Sequence, residues 1–134
     1  MKKYAILVLI IIASCYGCKK EDSFISSSSI IGEWAWVSTC GGIAGVCYTP
    51  ETTNQRINLV FTVDSMYKSF KNDTLKDSGR FHVYKSISAD TKETSNVLQY
   101  GTTSQIFTIV CDTLYFPKPQ LCFDCFESNY RRLK

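Results

Sequence analysis

Ile30-Ile31-Gly32-Glu33-Trp34-Ala35-Trp36-Val37-Ser38-Thr39 alternates with a period of two residues. Gly32, Trp34 and Trp36 fall on one face of an extended chain, and Glu33, Ala35 and Val37 on the other. This is the pattern of a half-buried strand. The stretch holds both tryptophans of the chain. A glycine two residues before an indole lets another strand approach closely while the indole plugs the space beneath. The spacing predicts the first strand of a small closed barrel with Trp34 at its floor.

Downstream, no segment has helical periodicity, and short strand-like runs alternate with turn residues. Residues 40–54, with three glycines and a proline, predict a long loop, a candidate lid over one barrel end. Gln55 to Asp64 places Ile57, Leu59, Phe61 and Val63 on one face. Met66 to Lys71 follows, and Asn72-Asp73 turns the chain. Thr74 to Ile87 reads as a strand with a bulge or bend at Asp77-Ser78-Gly79. Residues 88–95 are polar and predict a surface loop. Asn96 to Tyr100, Gln105 to Val110 and Thr113 to Phe116 follow, the last two forming a hairpin around Cys111-Asp112. Pro117-Lys118-Pro119 breaks the pattern, Cys122-Phe123-Asp124-Cys125 is turn-like, and Phe126 to Leu133 closes the chain. About eight strands with short connections predict an all-β, antiparallel up-and-down barrel, in which closure removes exposed edges.

Upstream, Met1-Lys2-Lys3-Tyr4 is a basic segment and residues 5–13 are apolar. That run is about half of the ~20 residues a membrane-spanning helix needs, so it reads as a cleaved signal peptide. Ile12-Ala13-Ser14-Cys15 resembles the lipobox of bacterial lipoproteins at every position. A second candidate, Cys18, follows Gly17 and precedes Lys19-Lys20-Glu21-Asp22, which resembles an export signal placed after the acylated cysteine in some Gram-negative bacteria. Either cysteine implies a covalent lipid anchor, each acyl methylene adding ~0.8 kcal/mol of membrane affinity. Residues 1–17 are then signal peptide and lipobox, 18–29 a serine-rich tether, and 30–134 the barrel domain.

Gly32-Glu33-Trp34, the Gly-Gly-Ile-Ala-Gly of the first loop, Asp112-Thr113-Leu114 and Tyr130-Arg131-Arg132 together resemble the small lipocalin-like lipoproteins of Gram-negative bacteria, over residues 30–133. The resemblance implies a barrel floor in which an arginine near the end of the chain stacks on the Gly-x-Trp indole, a cation–π contact. Arg132 and Arg131 are the candidates. Arg132 shares a strand face with Tyr130 and is preferred, giving a floor of Gly32, Trp34 and Arg132. The resemblance also implies a cell-envelope location, lipid-anchored at the outer membrane.

At 134 residues the chain suits one domain. Its net charge of +3 falls to +1 without Lys2 and Lys3, which points to no nucleic-acid partner. Seven cysteines in so short a chain indicate an oxidising compartment. Cys40 and Cys47 bracket the glycine-rich loop, and Cys122 and Cys125 form a local pair. Disulfides 40–47 and 122–125 are expected, with Cys111 the odd thiol. A redox role for Cys122-x-x-Cys125 lacks the helix start such motifs use, and a four-thiolate zinc site lacks the usual spacing.

His82, the single histidine, lies on the strand face opposite Phe81 and Val83, so it reads as solvated. Aspartates 73, 77, 112 and 124 sit where turns favour them. No catalytic set, cofactor or metal site emerges. What remains is an aromatic interior, and Trp36, Phe61, Tyr67, Phe70, Phe81, Phe107 and Phe116 are the candidate ligand-pocket residues. Two functions follow. One is a lipid-anchored binding protein holding a small apolar or amphipathic ligand in the barrel. The alternative is a structural or protein-interaction surface lipoprotein with a filled core, using loops 40–54 and 88–95 against a macromolecular partner. An internal void of roughly several hundred Å³ reaching the surface marks the first, a packed interior the second.

Overall fold

The computed structural model describes residues 30–89, 91–119 and 121–134. The lipobox, both candidate lipidation sites Cys15 and Cys18, and the tether lie outside the described residues.

Eight strands form a closed antiparallel barrel: β1 (Gly32–Gly41), β3 (Ile57–Phe61), β4 (Met66–Lys71), β5 (Thr74–Ile87), β6 (Thr94–Tyr100), β7 (Thr103–Val110), β8 (Thr113–Phe116) and β9 (Phe126–Arg132). Each pairs with the next, and β9 returns to β1 to close the ring. A ninth strand, β2 (Val46–Tyr48), pairs only with the upper part of β1.

The register shows why these residues form a barrel. Trp34 lies opposite Leu59, Phe61 opposite Tyr67, Phe81 opposite Tyr100, Leu114 opposite Tyr130, and Tyr130 opposite Trp36. One apolar side chain hands over to the next around the ring, always on the inner face. Ile30, Trp34, Phe61, Leu98, Phe107 and Leu114 are fully buried there. Rings meet edge to face, Phe61 with Phe81 and Tyr67 with Tyr100 at 5.1 Å each, and Phe116 with Tyr130 at 5.8 Å, the geometry their quadrupoles favour.

The connections depart from the sequence expectation in four places. Residues 40–54 are not one long loop. Cys40 and Gly41 finish β1, a tight turn leads into β2, and α1 (Pro50–Thr53) is a single helical turn. Thr49 caps it reciprocally with Thr52, and Pro50 sits where its missing N–H costs nothing. Such a helix is too short to show periodicity. Val63, expected inside, is 88% exposed, because β3 ends at Phe61 and Thr62–Asp64 turns the chain through a side-chain hydrogen bond.

The β5 irregularity falls at Lys76: Ser69 faces Asp77 while Phe70 faces Leu75. Asp77 is thus a strand residue rather than a turn residue, and it accepts the Tyr67 hydroxyl proton at 2.7 Å. Cys111 is not the odd thiol; it is disulfide-bonded. Spacing marks which cysteines can close a local loop, Cys40 with Cys47 and Cys122 with Cys125, but does not settle connectivity beyond those pairs.

Candidate functional site

At the floor, Arg132 Cζ lies 4.1 Å from the centroid of the Trp34 ring. Its Nη1 donates to the Ile31 carbonyl at 2.6 Å, and the strand is pinned by Arg132 N–H donating to Asp112 O. The buried indole is satisfied as well, Trp34 Nε1 donating to Ile30 O at 2.8 Å. A Cβ on Gly32 would stand 2.8 Å from Arg132 Nη1, and Gly32 has φ +134. Glycine is what lets the guanidinium reach under the barrel. Arg131, the other candidate, pairs with Ala35 and points to the outer face. The floor is therefore a structural plug, and among the described residues no buried side-chain polar atom is left without a hydrogen bond.

The expected pocket residues are not arranged as a pocket. Phe61, Tyr67, Phe81, Phe107 and Phe116 pack on one another in the buried core. Trp36 is buried and donates from Nε1 to Thr39 Oγ1 at 2.9 Å. Phe70 alone of the set borders a cleft, one of about 300 Å³ that it shares with Glu33, Asn58, Val60 and Asp73. The physical reason is size: a barrel of this strand number has just enough interior for its own side chains, and here large rings come from all eight barrel strands. Phenols in this core hold their protons firmly. Burial raises Tyr130, and burial raises Tyr100 against a hydrogen bond from Gln105. The Asp77 hydrogen bond pushes Tyr67 up to about 12.

A larger cleft, of about 680 Å³, is lined by β6, β7, the β5–β6 connection and the stretch from Pro117 to Phe126. Its position follows from Pro117-Lys118-Pro119. β8 pairs with β7 only from Thr108 to Val110, and after Phe116 the chain leaves the sheet, since proline cannot donate to a ladder. The outer face of β6 and β7 forms one wall with Ser95, Ser104 and Ile106. The register places Ile106 opposite Val97 and Ser104 opposite Gln99, the face opposite Leu98 and Phe107. Pro117, Pro119, Cys125 and Phe126 line it as well, with Ser88, Thr91 and Glu93 of the β5–β6 connection and Gln105, which pairs with the buried Leu98.

Beside this cleft, two disulfides brace neighbouring loops. Cys40–Cys47 joins directly opposed residues of β1 and β2 with Cα atoms 4.1 Å apart, and Cys122–Cys125 closes the turn before β9. Gly42 N–H donates to Cys125 O at 3.4 Å, so the two loops touch. They carry large apolar side chains into solvent: Ile43 is 86% exposed, Leu121 94% and Phe123 89%. The Tyr48 and Phe126 rings pack at 6.1 Å between them.

No family model matches the chain, and no curated protein or solved structure matches it either. What the site can do is argued from its residues. Among the described residues no group of three or more His, Cys, Asp or Glu is placed to hold a metal ion. His82 is exposed and stacks on Tyr84, centroids 6.0 Å apart. Both loop disulfides were expected from the sequence; the cleft was not. Its signal was present as Pro117-x-Pro119 beside Cys122-x-x-Cys125, but nothing in spacing alone says what such an excursion covers.

Proposed function

We propose that this protein is a lipid-anchored binding protein of the bacterial cell envelope that engages a macromolecular partner with its outer surface, the barrel serving as a rigid scaffold. Residues 12–18 motivate the anchor, since either cysteine there stands in a lipobox-like setting. The observation that carries the surface reading is the interior. Its rings interlock with one another, while Ile43, Leu121 and Phe123 are held out on disulfide-braced loops. Exposed apolar side chains on pre-organised loops lose little entropy on binding, which favours contact there over entry into a filled core.

Two measurements test this. The full chain made in a Gram-negative host is expected to partition into detergent, and a Cys15→Ala/Cys18→Ala variant to stay unprocessed or soluble. A fluorescent fatty acid titrated against the protein is expected to show no saturable uptake reported by the tryptophans. Stoichiometric uptake that quenches Trp34 and Trp36 would return the function to the barrel interior.

A further inference from the structure

We infer that the cleft between β6–β7 and the Pro117–Pro119 excursion is a binding site for a neutral oligosaccharide. This rests on the surface-binding reading above and names its ligand class. The cleft's volume of about 680 Å³ lies within the range of small-molecule sites, roughly 300–1,000 Å³.

Its lining combines hydroxyls with apolar surface. The hydroxyls belong to Ser88, Thr91, Ser95 and Ser104. A hydroxyl both donates and accepts, as do the vicinal hydroxyls of a sugar. Ser88 Oγ accepts from Thr91 N–H, and Thr91 Oγ1 accepts from Glu93 N–H, both at 3.3 Å. These bonds fix the oxygens while leaving each hydroxyl proton for a ligand. Pro117, Pro119, Ile106 and Phe126 supply the apolar part of the lining. Phe126 is held between Tyr48 and Gly42, whose Cβ position lies 3.4 Å from the ring. It is therefore a fixed platform of the kind that packs on the C–H face of a sugar ring. Glu93 and Lys118 are the lining charges and are opposite in sign, so the site offers an anionic or cationic ligand no net attraction.

The test uses the full lipidated chain in detergent micelles on a printed array of neutral, sulfated and carboxylated oligosaccharides. Calorimetric titration with the strongest neutral binder follows. Ser104→Trp and Ile106→Trp, both at exposed positions on the outer face, are expected to weaken binding at least roughly tenfold with the thermal midpoint unchanged. Glu93→Gln combined with Lys118→Gln is expected to shift affinity less than about twofold. The proposal is overturned by retention of no neutral oligosaccharide, by a preference for charged glycans, or by binding that both tryptophan variants leave intact. Such a failure, with detergent partitioning and the absence of fatty-acid uptake preserved, removes the glycan and leaves the anchored surface protein standing.

Discussion

The guanidinium of Arg132 covers the indole of Trp34 at 4.1 Å while Nη1 donates to Ile31 O at 2.6 Å. One side chain from the last strand thus fixes the first strand twice, through a ring and through a carbonyl. Because β1 and β9 are the first and last of the eight barrel strands, this contact sits across the seam that closes the barrel. A cation over an indole contributes roughly 0.5–2 kcal/mol, more when water is kept away.

Trp34→Ala is therefore expected to destabilise the domain by about 3–5 kcal/mol, as large aromatic truncations in cores do. Arg132→Lys should cost less, because an ammonium neither lies flat on the ring nor keeps the guanidinium's geometry. Gly32→Ala should resemble Arg132→Lys, since the new methyl meets Nη1. Denaturant midpoints of the three variants check the order. An unchanged midpoint for Trp34→Ala would remove the floor as a stabilising element.

Tyr67 and Asp77 predict how stability varies at high pH. The hydrogen bond to the Asp77 carboxylate, with burial, raises the Tyr67 phenol to about 12 from an ordinary value near 10. The folded state therefore holds this proton where the unfolded chain releases it. The contribution is complete below about pH 10 and is lost as pH rises from there through about 12. Tyr100, Tyr115 and Tyr130 are shifted in the same direction, Tyr115 by its hydrogen bond to Glu127. Tyr67→Phe should cost about 1–2 kcal/mol at neutral pH and flatten, without abolishing, the alkaline fall in thermal midpoint. An identical fall in the variant would show that Tyr67 does not take part.

The barrel was legible because inner-face residues alternate in nearly every strand, and a period of two survives small errors in strand ends. Trp34, Phe61, Phe81 and Phe107 could be placed inward from the sequence alone. Whether those rings leave a void was not legible. That depends on how side chains from different strands interlock, and Phe61 meets Phe81 only because β4 lies between their strands in a curved sheet. Turns set by one residue were also hidden: Val63 continues the apolar alternation of β3 perfectly, yet Ser65 at φ +62 and the Thr62–Asp64 bond take it out of the strand. The cleft was least legible, since prolines announce that a strand ends but not where the chain goes next.

The thiols give a third prediction. The unfolded, unreduced full chain should show Cys40 linked to Cys47 and Cys122 to Cys125, with Cys111 unavailable to alkylation. Each described bridge closes a short loop, worth at most ~2–3 kcal/mol of unfolded-state entropy. Mild reduction should therefore raise amide exchange in residues 41–48 and 121–126 while the core strands stay protected. Peptide mapping that finds Cys111 free, or the two pairs exchanged, would contradict the arrangement.

Gly41 joins the two braced loops and gives the last prediction. It pairs with Val46 on one side and Phe126 on the other, and a Cβ there would meet the Cys125 carbonyl oxygen and stand 2.8 Å from Phe126 Cα. Both neighbours are backbone and cannot rotate away. Gly41→Ala should push the start of β9 from β1 and cost about 1–3 kcal/mol, the usual range for overpacking. Gly45→Ala supplies the comparison: its φ is +62 and nothing lies within 4 Å of its Cβ position, so only backbone strain of about 1–2 kcal/mol applies. The two variants should differ in where they act. Gly41→Ala should expose Phe126 and loosen the turn closed by Cys122–Cys125, whereas Gly45→Ala should disturb the β1–β2 hairpin alone, and neither should alter the environment of Trp34. Hydrogen exchange across residues 121–128 separates them. Equal protection there in both variants would mean that the loops are held by their disulfides and not by the contact at Gly41.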